Sequence, residues 1–342
     1  MKRLQLSVVV SLLFGSYAVP ASAHHNSNSF FEVETTIELQ GSVTRFDWKN
    51  PHMYFFLTVV DETGEETLWK VEGSPLAFMR RLGWDRDTLQ PGDNVTVTVN
   101  PSRNPKKKSA LLKDITVVGR DIPSITGEDA FRKAFGNNAE ELTKQASSLH
   151  GTWATIPSSE TLGRLQDPEK LALTEAGESA VNAYDERTMH PALECIPYTT
   201  PIFMLVPDIK QIVVEKDIVR IRGEFDGTER IIYVNGEAPQ GRTVHGRSKG
   251  HWDGTTLVIE TSRFTDHRLG NASEVPSGAH KKIIERLQLQ EDGKSLHYSF
   301  ELTDPEFLAE PVTGEGTLVY RPDLDFRMLE CDLENSRMYL ED

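Results

Sequence analysis

Two periodicities run along this chain. From residue 29 to 118 apolar and polar positions alternate in short bursts, the period of a half-buried strand. "TTIELQGSVTRFDW" alternates until it breaks at "KNPH". "MYFFLTVVD" is a denser apolar run closed by the turn "ETGEE", and "TLWKVEG" follows. "PLAFMRRLGW" changes to a helical spacing and stops at Gly83, then "QPGD" turns the chain into "NVTVTVNPS" and "ALLKDITVVG". Five strands and one helix predict a small antiparallel barrel of the oligonucleotide/oligosaccharide-binding (OB) type, with a twisted open sheet as the alternative.

Residues 120–149 lose that alternation. "GEDAFRKAFGNNAEELTKQASSL" is polar and helix-prone, and reads as a helical linker. From 150 a helix is expected over "EKLALTEAGESAVNAYDE", and "CIPYTTPIFMLVP" is too rich in proline for regular structure. Eight strand-like runs follow: "IKQIVVE", "DIVRIRGEF", "ERIIYVN", "GTTLVIETSRF", "HKKIIERLQLQ", "SLHYSFELTD", "GEGTLVYR" and "DFRMLECDL". Asp-Gly pairs in "EFDGTER", "HWDGTT" and "QEDGKS" mark hairpins. Consecutive antiparallel strands predict an up-and-down, lipocalin-like barrel over 150–342, which removes exposed sheet edges. The chain is thus expected to be mainly β, with domains at 24–119 and 150–342. At ~8 strands such a barrel holds one small ligand or is filled by side chains.

The first 23 residues carry a different pattern. Lys2 and Arg3 precede a short apolar run, and Ala21-Ser22-Ala23 is a small-x-small cleavage site. The run is shorter than the ~20 residues of a membrane span, so a removed leader and a periplasmic or secreted protein are expected. The net charge is −15, and two units more negative without Lys2 and Arg3. Such a chain repels nucleic acid and anionic membranes, because phosphate binding depends on Lys and Arg. "NPKKKSALLK" is the one basic run and reads as a solvated hairpin tip. The two cysteines, Cys195 and Cys331, are an even count in an exported chain and predict a structural disulfide.

Two stretches resemble known groups of exported bacterial proteins. His24-His25, Trp48-Lys49-Asn50-Pro51-His52, Arg81-Leu82-Gly83-Trp84 and Pro91-Gly92-Asp93 together resemble a family of small domains of unknown function, over about residues 23–118. "HPALECIPYTTP", "GRSKGHWDGTTLVIETSRFTD" and "RMLECDLEN" resemble a second group without a settled activity. That group's pattern has Asp-Pro where this chain has His190-Pro191, and an aromatic where this chain has "PVT" at 311–313. Neither resemblance implies a reaction.

The candidate chemistry therefore comes from residues. With cleavage after Ala23, the α-amine and imidazole of His24 form a chelate that suits Cu(II), and His25 or His52 would add a third nitrogen. In the second domain, alternation places His245 and Arg247 on one strand face with Lys249, beside His251 and Trp252. Glu224, Arg230 and Tyr233 are further inward candidates. Nucleophile elbows, zinc-protease helices, phosphate loops and dinucleotide fingerprints are all missing from the sequence. The favoured expectation is a binding protein for a small hydrophobic molecule in the second barrel, with Arg230, His245, Arg247, His251 and Trp252 fixing its orientation. A copper site at the mature terminus is a separate expectation for the first domain. One alternative is a barrel enzyme, a cyclase, isomerase or hydratase using Glu224, Tyr233 or His251 as acid or base on a terpenoid- or steroid-like substrate. The other is an envelope protein-interaction module.

Overall fold

The structure, a computed structural model, describes residues 27–134, 144–156, 158–225 and 227–340. The expected leader, His24, His25 and the linker residues 135–143 lie outside these.

The first barrel contains β1 (Ile37–Asp47), β2 (His52–Val60), β3 (Glu66–Pro75), α1 (Leu76–Arg81), β4 (Asn94–Pro101) and β5 (Ser109–Val117). Alternation turns Leu39, Val43, Phe55, Leu57, Val71, Val95, Val97 and Ile115 onto one shared core. The ring closes in the order β1-β2-β3-β5-β4. A closed ring with an odd number of strands cannot be antiparallel throughout. Here the parallel pair is β3 with β5, and α1 and β4 supply the long connection that such a pair needs. The helix buries Leu76, Ala77, Phe78 and Met79, and its last two residues, Arg80 and Arg81, point at the second barrel. Beyond this barrel comes α2 (Gly127–Ala134).

The second barrel has nine strands rather than eight: β6 (Gly151–Ile156), β7 (Ile209–Val214), β8 (Ile218–Gly223), β9 (Glu229–Tyr233), β10 (Arg247–Asp253), β11 (Thr256–Ser262), β14 (Lys282–Leu289), β15 (Ser295–Thr303) and β16 (Val312–Tyr320). A side hairpin, β12 (His267–Ala272) with β13 (Val275–Ser277), interrupts the sequence. Two strands, β6 and β10, add to the expected set, and "DFRMLECDL" is not a strand. Nine again forces one parallel pair. It is β9 with β10, joined by residues 234–246, which return along the barrel.

One end of this barrel is plugged. The segment between β6 and β7 holds α3 (Ser159–Leu165), α4 (Glu175–Ala183), α5 (Glu186–Met189) and α6 (Ile202–Leu205). The expected helix is present as α4, capped by the Thr174 side chain on the Gly177 N–H. The proline-rich run contributes α6, whose four residues are all buried. Two glycines make room for it. A Cβ on Gly223 would stand 2.7 Å from the Phe203 ring, and one on Gly316 would stand 2.9 Å from Leu205.

After β16 the chain returns to the first barrel as a strap. Cys331 on it is disulfide-bonded to Cys195, with Cα atoms 5.9 Å apart. A short helix, α7 (Leu333–Ser336), follows. The strap meets the Trp-x-Asn-Pro-His segment: the Asp332 N–H donates to Asn50 O at 2.9 Å, and Asn335 Nδ2 donates to His52 O at 2.7 Å. Asn50 Nδ2 in turn donates to Phe225 O at 2.6 Å. Lys70 Nζ donates to Met338 O at 2.5 Å, and Tyr339 meets Phe30 edge-on at 4.8 Å. Arg81 and Glu224 complete the junction as a buried ion pair, with Arg80 3.4 Å from the same carboxylate.

The bridge closes 136 residues of chain. In the chain-entropy account a loop that long contributes about 5 kcal/mol. The Cys195→Ala/Cys331→Ala double variant is therefore expected to lose about 4–5 kcal/mol in denaturant unfolding, and a loss below about 1 kcal/mol would show that the strap holds without it.

Candidate functional site

The plugged end of the second barrel collects charged side chains. β9 alternates Arg230 and Ile232 inward, β11 does the same with Leu257, Ile259 and Thr261, and β14 with Ile283, Glu285 and Leu287. The registers bring these rows level, with Ser248 opposite both Ile232 and Thr261. Arg230 lies at the centre. Its guanidinium donates to Ser248 Oγ at 3.2 Å, to Thr261 Oγ1 at 2.7 Å and to both oxygens of Glu285, the Nη1–Oε1 bond being 2.9 Å. The Tyr298 hydroxyl donates to Glu285 Oε1 at 3.0 Å. Burial, and then the Glu285 charge, push the Tyr298 phenol well above its ordinary range. Buried ion pairs persist when their remaining groups are satisfied, as they are here.

His245 stands over this pair. Gly246 follows it at φ +66°, and that turn breaks the expected alternation. His245 therefore goes inward, while Arg247 and Lys249 stand on the outer wall of β10. The imidazole lies 5.3 Å from the Phe203 ring of the plug. Both its nitrogens are buried without a hydrogen-bond partner. Burial, with Arg230, His267 and Lys281 nearby, lowers its pKa to about 3. A neutral imidazole presents one donor and one acceptor.

Two more groups sit alongside. His267 Nδ1 accepts from the Leu269 N–H at 3.0 Å, so its Nε2–H donates to Pro197 O at 3.1 Å. Burial holds that ring's pKa at about 4. Lys281 Nζ donates to Thr200 O at 2.6 Å and to Gly270 O, above the Phe264 ring at 4.5 Å. Burial lowers its pKa to about 7. The hydroxyls of Thr199, Thr200 and Ser277 are buried without partners in the same region. An imidazole, an ammonium and three hydroxyls beneath an apolar plug can orient one small molecule by its polar group.

The other sequence candidates are scattered. Glu224 belongs to the barrel junction, where burial pushes its carboxyl up against the pull of Arg81 and Arg80. Tyr233 stands on the opposite face of β9 from Arg230 and is half-buried. His251 and Trp252 are exposed at the β10–β11 hairpin. His52 is buried, with Nδ1 2.5 Å from the Glu72 carboxylate. Among the described residues no group of three His, Cys, Asp or Glu is arranged to hold a metal. Any copper set on His52 thus depends on donors outside them. Lys281, Glu285, His267, Tyr298 and Phe203 were not singled out from the sequence. The signal for two of them was present: Lys281 and Glu285 share the phase of Ile283 and Leu287, so a charge at each stands where the strand pattern is apolar.

No helix of the described residues is long and apolar enough to cross a membrane. Several solved structures match parts of the chain. The N-terminal domain of the PriB protein of Thermoanaerobacter tencongensis is 23% identical over 25% of this chain and 99% of its own, with a TM-score of 0.19. A mitochondrial single-stranded DNA binding protein of S. cerevisiae is 11% identical over 25% of this chain and 97% of its own, with a TM-score of 0.19. No curated protein matches the chain. Residues 13–111, which include most of the five-stranded barrel, match the model of a family of unknown function, DUF6152.

Proposed function

We propose that this is an exported binding protein whose second barrel takes one small, mostly apolar molecule at its plugged end, through a single polar group. The observation that carries this reading is His245. Buried polar atoms are hydrogen-bonded in nearly all folded proteins. Leaving a buried donor or acceptor unsatisfied costs about 1–3 kcal/mol, and this ring leaves two. A hydroxyl on an apolar skeleton satisfies one of them, as donor or as acceptor, while the skeleton lies against Phe203. Export is supported by the leader pattern and by the disulfide.

Native mass spectrometry of protein purified from periplasm tests the reading. Wild type is expected to carry a small molecule that His245→Phe loses with its unfolding midpoint preserved. Bare wild type, whose His245 ring resonances also ignore added cyclohexanol, would defeat the idea.

The same ring makes stability depend on pH. The folded-state values of His245 and His267, about 3 and 4, lie below the 6.5 of a free imidazole. The unfolded chain therefore binds protons that the native state refuses, and stability falls as pH drops below 6.5. Across pH 6.5–4.5 the two rings act alike. Equilibrium unfolding of His245→Asn should show the wild-type pH slope reduced by one proton.

A copper ion at the mature terminus is the second reading. What favours it is the Glu72 carboxylate on His52 Nδ1, the partner that fixes the tautomer of a metal-ligating histidine. His24 would supply amine and imidazole, with His25 beside it; copper would act as a bound ion held by nitrogen donors. Copper titration of the mature protein should give tighter binding than a variant with one extra N-terminal Ala. Equal affinity excludes the terminal amine.

A further inference from the structure

The outer wall of the second barrel carries a groove of about 350 Å3, on the opposite phase of β10, β11, β14 and β15 from the interior site. Residues 234–246 roof it through Ala238. The strand registers lay out its floor in two rows. In one row Arg247 stands opposite Ser262, and Lys282 opposite Thr303. In the other, Lys249, Glu260, Ile284 and Glu301 stand opposite one another in turn. The rows are two residues apart along each strand, about 7 Å.

Arg263 joins the first row. It has φ +60°, a conformation that costs a non-glycine residue about 1–3 kcal/mol. The turn sends the next residue, Phe264, into the core and leaves Arg263 on the groove. Three cations thus converge around the Ser262 and Thr303 hydroxyls. Arg263 reaches only the Pro239 carbonyl at 3.5 Å, and Arg247 only the Gly241 carbonyl at 3.4 Å. Lys282 has neither a hydrogen bond nor an ion pair among the described residues. The fourth cation, Lys249, is paired with Glu237. Glu237, paired with Lys249, acts on Arg263 only at longer range, so in a chain of net charge −15 three cations without a carboxylate at ion-pair distance form a local site for an anion.

We propose that this groove binds a small organic anion with a single carboxylate or phosphate-monoester head and a short apolar tail. The head lies between Arg247, Arg263 and Lys282 and accepts hydrogen bonds from Ser262 and Thr303. The tail runs over Ile284, which is 37% exposed. Glu260 and Glu301 flank that isoleucine and repel any second negative charge on the tail. The site therefore selects one-headed anions over dicarboxylates. It is independent of the interior reading, because none of its charged groups touches His245.

Methyl NMR on Ile284 tests this with three probes: hexanoate, hexyl phosphate and adipate. Saturable shifts are expected with hexanoate or hexyl phosphate, whichever head the site prefers, and weaker ones with adipate. Affinity should fall at least tenfold in Arg247→Ala/Lys282→Ala, a half-buried and an exposed position on the outer wall whose substitution leaves the unfolding midpoint in place. Glu260→Gln should admit adipate. His245→Phe should bind as wild type does, so failure inside the barrel and failure on its wall are told apart. Shifts that vanish equally in all variants with added sodium chloride, no saturation with either one-headed probe, or undiminished binding by the double variant would each overturn the proposal.

Discussion

Taking a guanidinium and a carboxylate out of water costs several kcal/mol per ion, and the second barrel does this with Arg230 and Glu285 at its centre. The cost is offset because Ser248, Thr261 and Tyr298 reach the same two groups. Five strands contribute one residue each, so the pair fixes five registers at once. A slip of one residue on any of them turns the inward row outward and leaves a buried ion alone. The neighbouring pKa values follow from the same place. Burial first, and then the nearby cations Arg230 and Lys281, keep the His245 ring neutral.

The first barrel is coupled to this arrangement through its own surface. OB barrels commonly take ligands on the face of strands 2 and 3 and the adjoining loops. Here Lys70 on β3 holds the Met338 carbonyl, and the loop before β2 holds Asp332 and Asn335. The Trp-x-Asn-Pro-His segment is thus a docking point for the strap, whatever else His52 does. Beside it the buried Arg81–Glu224 pair locks α1 to the loop after β8.

Much of this was readable in advance, and the failures have physical causes. The apolar pattern located all five strands of the first barrel: β1, β4 and β5 alternate between core and surface, while the start of β2 is buried on both faces and reads as a denser apolar run. It failed for "DFRMLECDL", whose residues are held by a disulfide and by isolated hydrogen bonds, such as Leu329 N–H to Glu224 O and Asp332 N–H to Asn50 O, rather than by a ladder. It also failed at β10, where one glycine turn shifts the phase between His245 and Arg247. "TTPIFMLVP" was opaque for another reason. Its residues are buried because distant Gly223 and Gly316 lack side chains, and no local pattern encodes that. In the candidate site, Arg230 and His245 were legible as polar residues among strands. Glu285 and Lys281 required asking which phase of "KKIIERLQLQ" faces inward.

The strap has a consequence for biogenesis. A chain emerging from the ribosome offers its amino-terminal half first. Yet the groups that occupy the outer face of the first barrel are Asp332, Asn335 and Met338, close to the far end of the polypeptide. Cys195 likewise waits for a partner 136 positions downstream. The early module therefore passes through synthesis with that face bare, and its burial is the last act of maturation rather than the first.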